Sequence, residues 1–252
     1  MIMKTGFYYK YNIAKFISNS IGICFKNTNY KCLLYHSIGS DYENDNLKIY
    51  NVSKDRFLEH MKIIKKSDFK VSSDIKQNLK ENENRLSITF DDGYFSIYEN
   101  ALDILIDLNI PFIIFVSPEL IKSNSGLYMN EEQIKRIASS ELCTIGSHGY
   151  EHKDFTSYEL HNLINLQNKS KKYLEDLIGK EVNLLSYPYG IFDQEIDKNL
   201  KKINFHYTFT SRFGSNQRHA STLNRIDVWS LDNINQFTKK LQGQWDWLKY
   251  IK

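Results

Sequence analysis

Two short segments hold most of this chain's capacity for chemistry. Thr89-Phe90-Asp91-Asp92-Gly93 closes an apolar run that begins at Leu86, and His148-Gly149-Tyr150-Glu151-His152 follows another such run. Two carboxylates and two imidazoles suffice for a divalent-metal hydrolase if the fold brings the segments together. Consecutive residues on an extended segment point opposite ways, so Asp91 and Asp92 need not share a role. Gly93 permits a sharp turn after them. The simpler reading of that segment is an Asp-Gly turn in which Asp92 caps the next helix. Two histidines four residues apart can face one metal from a helical turn, and zinc suits such an imidazole and carboxylate set, with cobalt, nickel and iron also compatible. Two exposed loop histidines without a metal are the simpler reading there. The same string matches H-x-x-E-H, the inverzincin protease signature, which needs a continuous helix. Gly149 and the β-rich run before it predict a strand-to-loop junction instead.

The elements that must position these residues follow from periodicity. Short β-rich runs alternate with amphipathic helices, the pattern of parallel sheets and α/β barrels. Strands are predicted at Cys32 to Tyr35, Leu86 to Phe90, Phe112 to Ser117, Cys143 to Gly146, Asn183 to Tyr187, Tyr207 to Thr210 and Arg225 to Val228. Asp91 and Asp92 thus fall at a strand's C-terminal end, where barrel active sites are built. Ser53 reads as an N-cap before Phe57, Met61 and Ile64. Ala101, Leu102, Leu105 and Leu108 mark one apolar helix face, and another helix should run from about Ser157 to Leu177. Pro111, Pro118 and Pro188 fall at strand boundaries or turns and leave the helices unbroken. The polar stretch from Lys80 to Arg85 reads as a loop.

With 252 residues, 41% hydrophobic and 25% charged, the chain can bury one sizeable core and fits a folded single domain. The net charge of +3 comes from well-mixed signs, and without a base-reading motif or a basic stripe it gives no case for nucleic acid. Cys24, Cys32 and Cys143 form no CxxC pair, which favours a reducing compartment. The N-terminal apolar residues are interrupted by Lys4, Lys10 and Lys15, which fits neither a signal h-region nor a membrane span. A cytoplasmic location, extending to the inner membrane surface, is the expectation. Tyr9, Ile13, Phe16, Ile17 and Ile21 recur at helical spacing, so residues 1–30 are expected to form a helical extension. Packing on the domain is the simpler role for that stripe, and peripheral contact with an anionic membrane is the alternative.

Taken together, Thr89 to Gly93, the His148/His152 pair and Ser186-Tyr187-Pro188-Tyr189-Gly190 resemble the polysaccharide deacetylase family, also called carbohydrate esterase family 4 or the NodB-homology domain. The resemblance covers about Lys31 to Val228. It implies a distorted (β/α) barrel of about seven strands over residues 31–252 and metal-dependent removal of N-acetyl groups from a sugar or glycan, with a lipid-linked precursor of surface polysaccharide as one candidate substrate. Asp92, His148 and His152 match the family's metal triad, Asp91 its catalytic base, and the backbone N–H of Tyr189 its second oxyanion donor. Tyr187, Tyr189, Tyr150 and Phe213 could line a sugar-stacking groove, although core packing explains any one of them equally.

Two departures stand out. Many members carry an arginine that pairs with the base where Ser186 stands here, and Arg225 on a neighbouring strand is the candidate replacement. The commoner layout also places an acid histidine in a late Leu-x-His pattern, which is missing after Tyr207. His36, at the end of Leu33-Leu34-Tyr35-His36, instead resembles the circularly permuted branch typified by poly-N-acetylglucosamine deacetylases, and is preferred over His219 as the acid that protonates the leaving amine. The rival from another class is a glycan-binding barrel without turnover. His60, His161 and His206 lack a partner motif and are read as structural or exposed.

Overall fold

All seven β-rich runs form strands, and all of them run parallel: β1 (Lys31–Tyr35), β2 (Arg85–Phe90), β3 (Phe112–Val116), β4 (Cys143–Ser147), β5 (Leu184–Ser186), β6 (Tyr207–Phe213) and β7 (Thr222–Asp227). The computed structural model describes residues 2–20, 22–25, 30–40, 45, 47–80 and 83–250. Around the sheet the order is β1-β7-β6-β5-β4-β3-β2, and β2 pairs back onto β1 with Tyr35 opposite Phe90, so the sheet closes into a seven-stranded barrel. A short strand, Lys70–Val71, pairs with the start of β2, and Ser37–Ile38 with Asn51–Val52 forms a separate two-stranded patch.

Strand pleating divides the core in two. Alternate residues point to opposite faces, and the outward set (Leu33, Tyr35, Leu86, Ile88, Phe90, Phe112, Ile114, Ile145, Ile226) joins the large cluster packed against the helices. The inward set (Cys32, Ile113, Phe115, Leu184, Phe209, Leu223) forms a second cluster that fills the barrel. The inward positions continue past this plug at the strands' C-terminal ends, where the parity falls on His36, Asp91, His148, Ser186 and Asp227, with Arg225 one inward step deeper and level with Cys32. The site is therefore a polar layer on an apolar floor.

The helices cover the outside. In α2 (Lys54–Lys66) the Ser53 hydroxyl accepts from the Arg56 N–H at 3.3 Å and the buried face is Phe57, His60, Met61 and Ile64. The apolar face read at residues 101–108 forms as a π-turn over Ile97–Ala101 leading into a helix over Leu102–Asp107, and a long helix spans Leu160–Ile178. Asn233 caps Ile234–Leu241. The three cysteines are free.

The N-terminal helix, α1 (Ile2–Ser20), docks by a different face from the stripe read in the sequence. Tyr11, Ala14 and Ser18 are buried, whereas Tyr9, Ile13 and Phe16 are exposed and Ile17 is only partly covered; Ile21 lies outside the described residues. The docked face joins aromatic packing, with Phe7 and Tyr11 against Trp229, to a set of polar ties. The Tyr11 hydroxyl donates toward the Leu231 carbonyl at 3.0 Å and lies 3.1 Å from Asp232 Oδ1, and Trp247 Nε1 donates to Ser18 Oγ at 2.9 Å.

Asp232 is the centre of that docking. Its carboxylate, fully buried, pairs with the equally buried Lys240 at 2.6 Å, and Lys240 Nζ lies 3.8 Å from the Trp229 ring centroid. Burial pushes the Lys240 ammonium below its ordinary pKa while Asp232 acts against that shift. Removing one partner of such a pair leaves an uncompensated buried charge, typically at a cost of about 3–5 kcal/mol. Lys240→Met is therefore expected to lower the unfolding free energy by about 3 kcal/mol or more in urea titration; an unchanged midpoint would show that Asp232 does not depend on it.

Candidate active site

Each side chain in the polar layer is aimed by the strand that ends beneath it. Asp91 follows β2, and its backbone N–H donates to the Tyr35 carbonyl at 3.0 Å, which extends the ladder one residue past the strand. His148 follows β4 and is tied likewise, through its N–H to the Val116 carbonyl at 2.8 Å. The chain then turns sharply: Asp92, Gly93, Gly149 and His152 all have positive φ, between 52° and 77°. A non-glycine residue in that region is strained by about 1–3 kcal/mol. The turn over 148–152 is not helical, which removes the inverzincin geometry. Glu151 is engaged elsewhere, with Lys153 at 2.8 Å and the Tyr158 hydroxyl at 2.7 Å.

These turns bring three of the named residues together. Asp92 Oδ1 lies 3.2 Å from His148 Nε2 and 2.9 Å from His152 Nε2, and one ligand atom from each residue falls within 4.8 Å of the others. The donor set fits a divalent ion. His148 Nδ1 is 2.9 Å from the Ser186 carbonyl oxygen, which can only accept, so Nδ1 carries a proton and Nε2 is the nitrogen left to face Asp92 and to ligate an ion. Asp92 Oδ1 is itself buried without a hydrogen-bond donor in place. Converging lone pairs in a buried pocket require positive charge between them. The local field agrees: burial would lower the His148 pKa, but Asp91 and Asp92 raise it above its ordinary value.

Asp91 stands beside this triad and is held by other groups. Arg225, fully buried, donates from Nη1 to Oδ1 and from Nη2 to Oδ2, each at 2.7 Å. The Ser186 hydroxyl donates to Oδ2 at 3.1 Å and accepts from Arg225 Nη2 at 2.9 Å. Arg225 is fixed in turn by Nε to the Thr210 carbonyl at 2.9 Å. Burial works to raise the Asp91 pKa, but Arg225 and His148 outweigh it and leave the carboxyl below its ordinary value. The serine that seemed a departure thus forms one side of a three-member network.

His36 ends the inward row of β1. Its ring packs on Tyr50 with centroids 4.6 Å apart. Burial lowers its pKa, while Asp92 and Asp91 pull the other way, which sets it within the same electrostatic field. His219 lies apart from this layer. It lies exposed in the connection entering β7, three residues beyond Asn216, which pairs with Tyr30 just before β1. That is the opposite end of the barrel.

The proposed groove is corrected at two positions. Tyr187 falls on the outward parity, and its buried hydroxyl donates to Asp197 at 2.8 Å. Phe213 packs against Trp229 and Trp245 in the core. Tyr189 is 66% exposed, with its ring 5.0 Å from that of His152, and its φ of 58° is part of a tight turn. Gly190 completes the turn because a Cβ there would sit 2.2 Å from Ser211 Oγ. Tyr150 lies beneath Lys122 and Lys169. Two neighbours had no motif to announce them. Tyr128 feels the charge of Asp92, and Asp227, the inward position after Arg225, is pushed up to about 6, chiefly by burial. Strand register was the one signal available for Asp227. His60 is buried against Phe237, and His161 and His206 are exposed.

Comparison with known proteins gives a consistent picture. The family model described as polysaccharide deacetylase matches residues 78–208. The chain is 27% identical over 204 residues to YxkH of Bacillus subtilis, a polysaccharide deacetylase by name, covering 78% of this chain and 70% of that one. It is 28% identical over 186 residues to the poly-β-1,6-N-acetyl-D-glucosamine N-deacetylase of Staphylococcus aureus, covering 65% of this chain and 62%, under two thirds, of that protein. Among solved structures, the deacetylase PplD of Streptococcus pyogenes superposes with a TM-score of 0.77 at 19% identity, covering 84% of this chain and 98% of that one. IcaB of Ammonifex degensii gives 0.73 at 21%, covering 87% and 98%. At these identities the structural likeness is one of fold.

The geometry makes a binding prediction. Zinc titrated into chelator-treated protein should bind one ion per chain by calorimetry, with Asp92→Ala or His148→Ala weakening it about 100-fold or more. Ser186→Ala, which keeps the backbone carbonyl facing His148, should leave the affinity nearly unchanged. Full affinity in Asp92→Ala would show that the ion sits elsewhere.

Proposed function

The chain belongs to the polysaccharide deacetylase family, and from that membership we propose that it is a metal-dependent hydrolase removing N-acetyl groups from an N-acetylated glycan. The observation that carries this reading is the adjacency of two differently equipped carboxylates: Asp92 facing two imidazole nitrogens, and Asp91 held by a guanidinium. Asp92, His148 and His152 are the residues that would hold the ion. When bound, a divalent ion supplies Lewis acidity toward an attacking water and the amide carbonyl, with zinc the first choice and cobalt, nickel or iron compatible.

The remaining work falls to the chain's own groups. Asp91 takes a proton from the attacking water, and for that it must be ionised; Arg225 and Ser186 keep it so and fix its plane. The Tyr189 backbone N–H donates to the oxygen that gains charge as the carbonyl becomes tetrahedral. An amide nitrogen leaves poorly as an anion, so His36 gives it a proton. The Tyr189 ring, exposed beside His152, offers a face to the sugar. The two features that favoured a non-catalytic glycan-binding barrel, Ser186 and the missing late histidine, lose their force once Arg225 and His36 stand in this layer. The staphylococcal relatives make a β-1,6-linked N-acetylglucosamine oligomer the first substrate to try, with a lipid-linked form as the second.

Three variants test the roles. Asp91→Asn should cut acetate release by about 10²–10⁴-fold with zinc affinity retained; full activity would reject it as the base. His36→Ala should slow amide cleavage far more than cleavage of an aryl acetate, whose leaving group needs no proton, and equal losses would remove the acid role. Arg225→Gln removes the largest of the groups that oppose burial at Asp91, so the Asp91 pKa rises. The acid limb of the pH–rate profile should then move to higher pH, and an unmoved limb in a folded variant would detach it from Asp91.

A further inference from the structure

We propose that the outer face of α1 is a binding surface for anionic lipid, which holds the barrel against a membrane without crossing it. No helix among the described residues is long and apolar enough to span a bilayer. At ~100° per residue, the docked residues Tyr11, Ala14 and Ser18 form one side of the helix, and Tyr9, Ile13 and Phe16 lie on the side directly opposite. These three are 70%, 42% and 72% exposed. Lys10, exposed, falls on the flank of that stripe beside Ile13, whereas Lys15 is half-buried on the side nearer Tyr11. An aromatic and aliphatic ridge bordered by a lysine stem is the arrangement of a helix lying in the interfacial plane, with rings at headgroup depth and the ammonium group reaching the phosphates.

Charge selects this occupant. Helix α1 contains Lys4, Lys10 and Lys15 and no Asp or Glu. A second copy docked symmetrically on this face would set lysine against lysine with no carboxylate from α1 to relieve them. An anionic headgroup layer gains about 1 kcal/mol per lysine near its surface. The polar ties from Tyr11 and Ser18 keep the helix on the barrel wall, so its outer face stays available.

The orientation has a consequence for substrate access. Phe7, near the start of α1, packs edge-on against Trp229 at 5.4 Å, and Trp229 lies two residues past β7 on the catalytic end. Ser18 meets Trp247 further along the helix. The helix therefore runs along the barrel wall with its N-terminal end toward the mouth, and a bilayer against it leaves the mouth opening beside the membrane.

Flotation of the full chain with vesicles tests this without using the catalytic site. It should bind vesicles of mixed phosphatidylcholine and phosphatidylglycerol about tenfold or more tightly than vesicles of phosphatidylcholine alone, and release as salt is raised. Ile13→Asp with Phe16→Asp should abolish the binding, and Lys10→Gln should weaken it about fivefold. Both variants should retain the wild-type melting temperature, because all three side chains are exposed off the docked face. Failure of the wild type to bind the mixed vesicles, or binding unchanged in both variants, would overturn the proposal. So would a wild-type dimer in sedimentation that Phe16→Asp converts to monomer, since the face would then belong to a second copy.

Discussion

The pairing of Arg225 with Asp91 sets the terms for the rest of the site. Neither charge could stand alone at that depth: an isolated ionised group in a protein interior costs several kcal/mol and would neutralise instead. The pair survives because both carboxylate oxygens, the Ser186 hydroxyl and the Thr210 carbonyl complete its hydrogen bonding. This demands a closed barrel. Asp91 follows β2, Arg225 comes from β7, Ser186 from β5 and Thr210 from β6, and these strands meet across one interior only after β2 returns to β1. An open sheet of the same strands would leave the aspartate without its cation.

Much of this was legible beforehand, and the strand pleat explains why. The β-rich runs are continuous because a parallel barrel buries both faces of each strand, and chemistry clusters at their C-terminal ends. Counting parity from any strand's apolar plug gives the inward set that includes His36, Asp91, His148, Ser186 and Arg225. The same count would have turned Tyr187 outward, one residue from Ser186 and therefore on the other face. Phe213 was not recoverable that way, because its partners Trp229 and Trp245 lie on segments beyond the barrel. The turn at 148–152 also resisted. Two histidines at helical spacing reach one aspartate through left-handed backbone at Gly149 and His152, a conformation glycine announces and histidine does not.

Helix α1 shows the converse limit of periodicity. The sequence has two faces at helical spacing, and the more apolar one is the face that periodicity alone would bury. Burial went instead to Tyr11, Ala14 and Ser18, where a hydroxyl reaches the Asp232 region and a small side chain admits close approach. A hydrophobic stripe measures what a helix could bury. Partners on the other elements, the Trp229 and Trp245 rings together with hydrogen-bonding groups, decide what it does bury, and they come from residues more than two hundred positions away.

The exchange of an arginine for Ser186 follows from the same geometry. By its register through β1, Arg225 is level with Ser87, deeper in the barrel than Asp91, and its long side chain passes Thr89 at 3.4 Å before forking onto the carboxylate. A guanidinium arriving from below fills the space beside Asp91, so an arginine at 186 as well would set two cations at one carboxylate. Serine fits because it is short and both donates and accepts, giving its proton to Asp91 and receiving one from Arg225. A lysine at 225 could bring the charge but not the two parallel hydrogen bonds that fix the carboxylate plane. The site therefore constrains a place inside the barrel and the kind of group that reaches it, and leaves open which strand provides it.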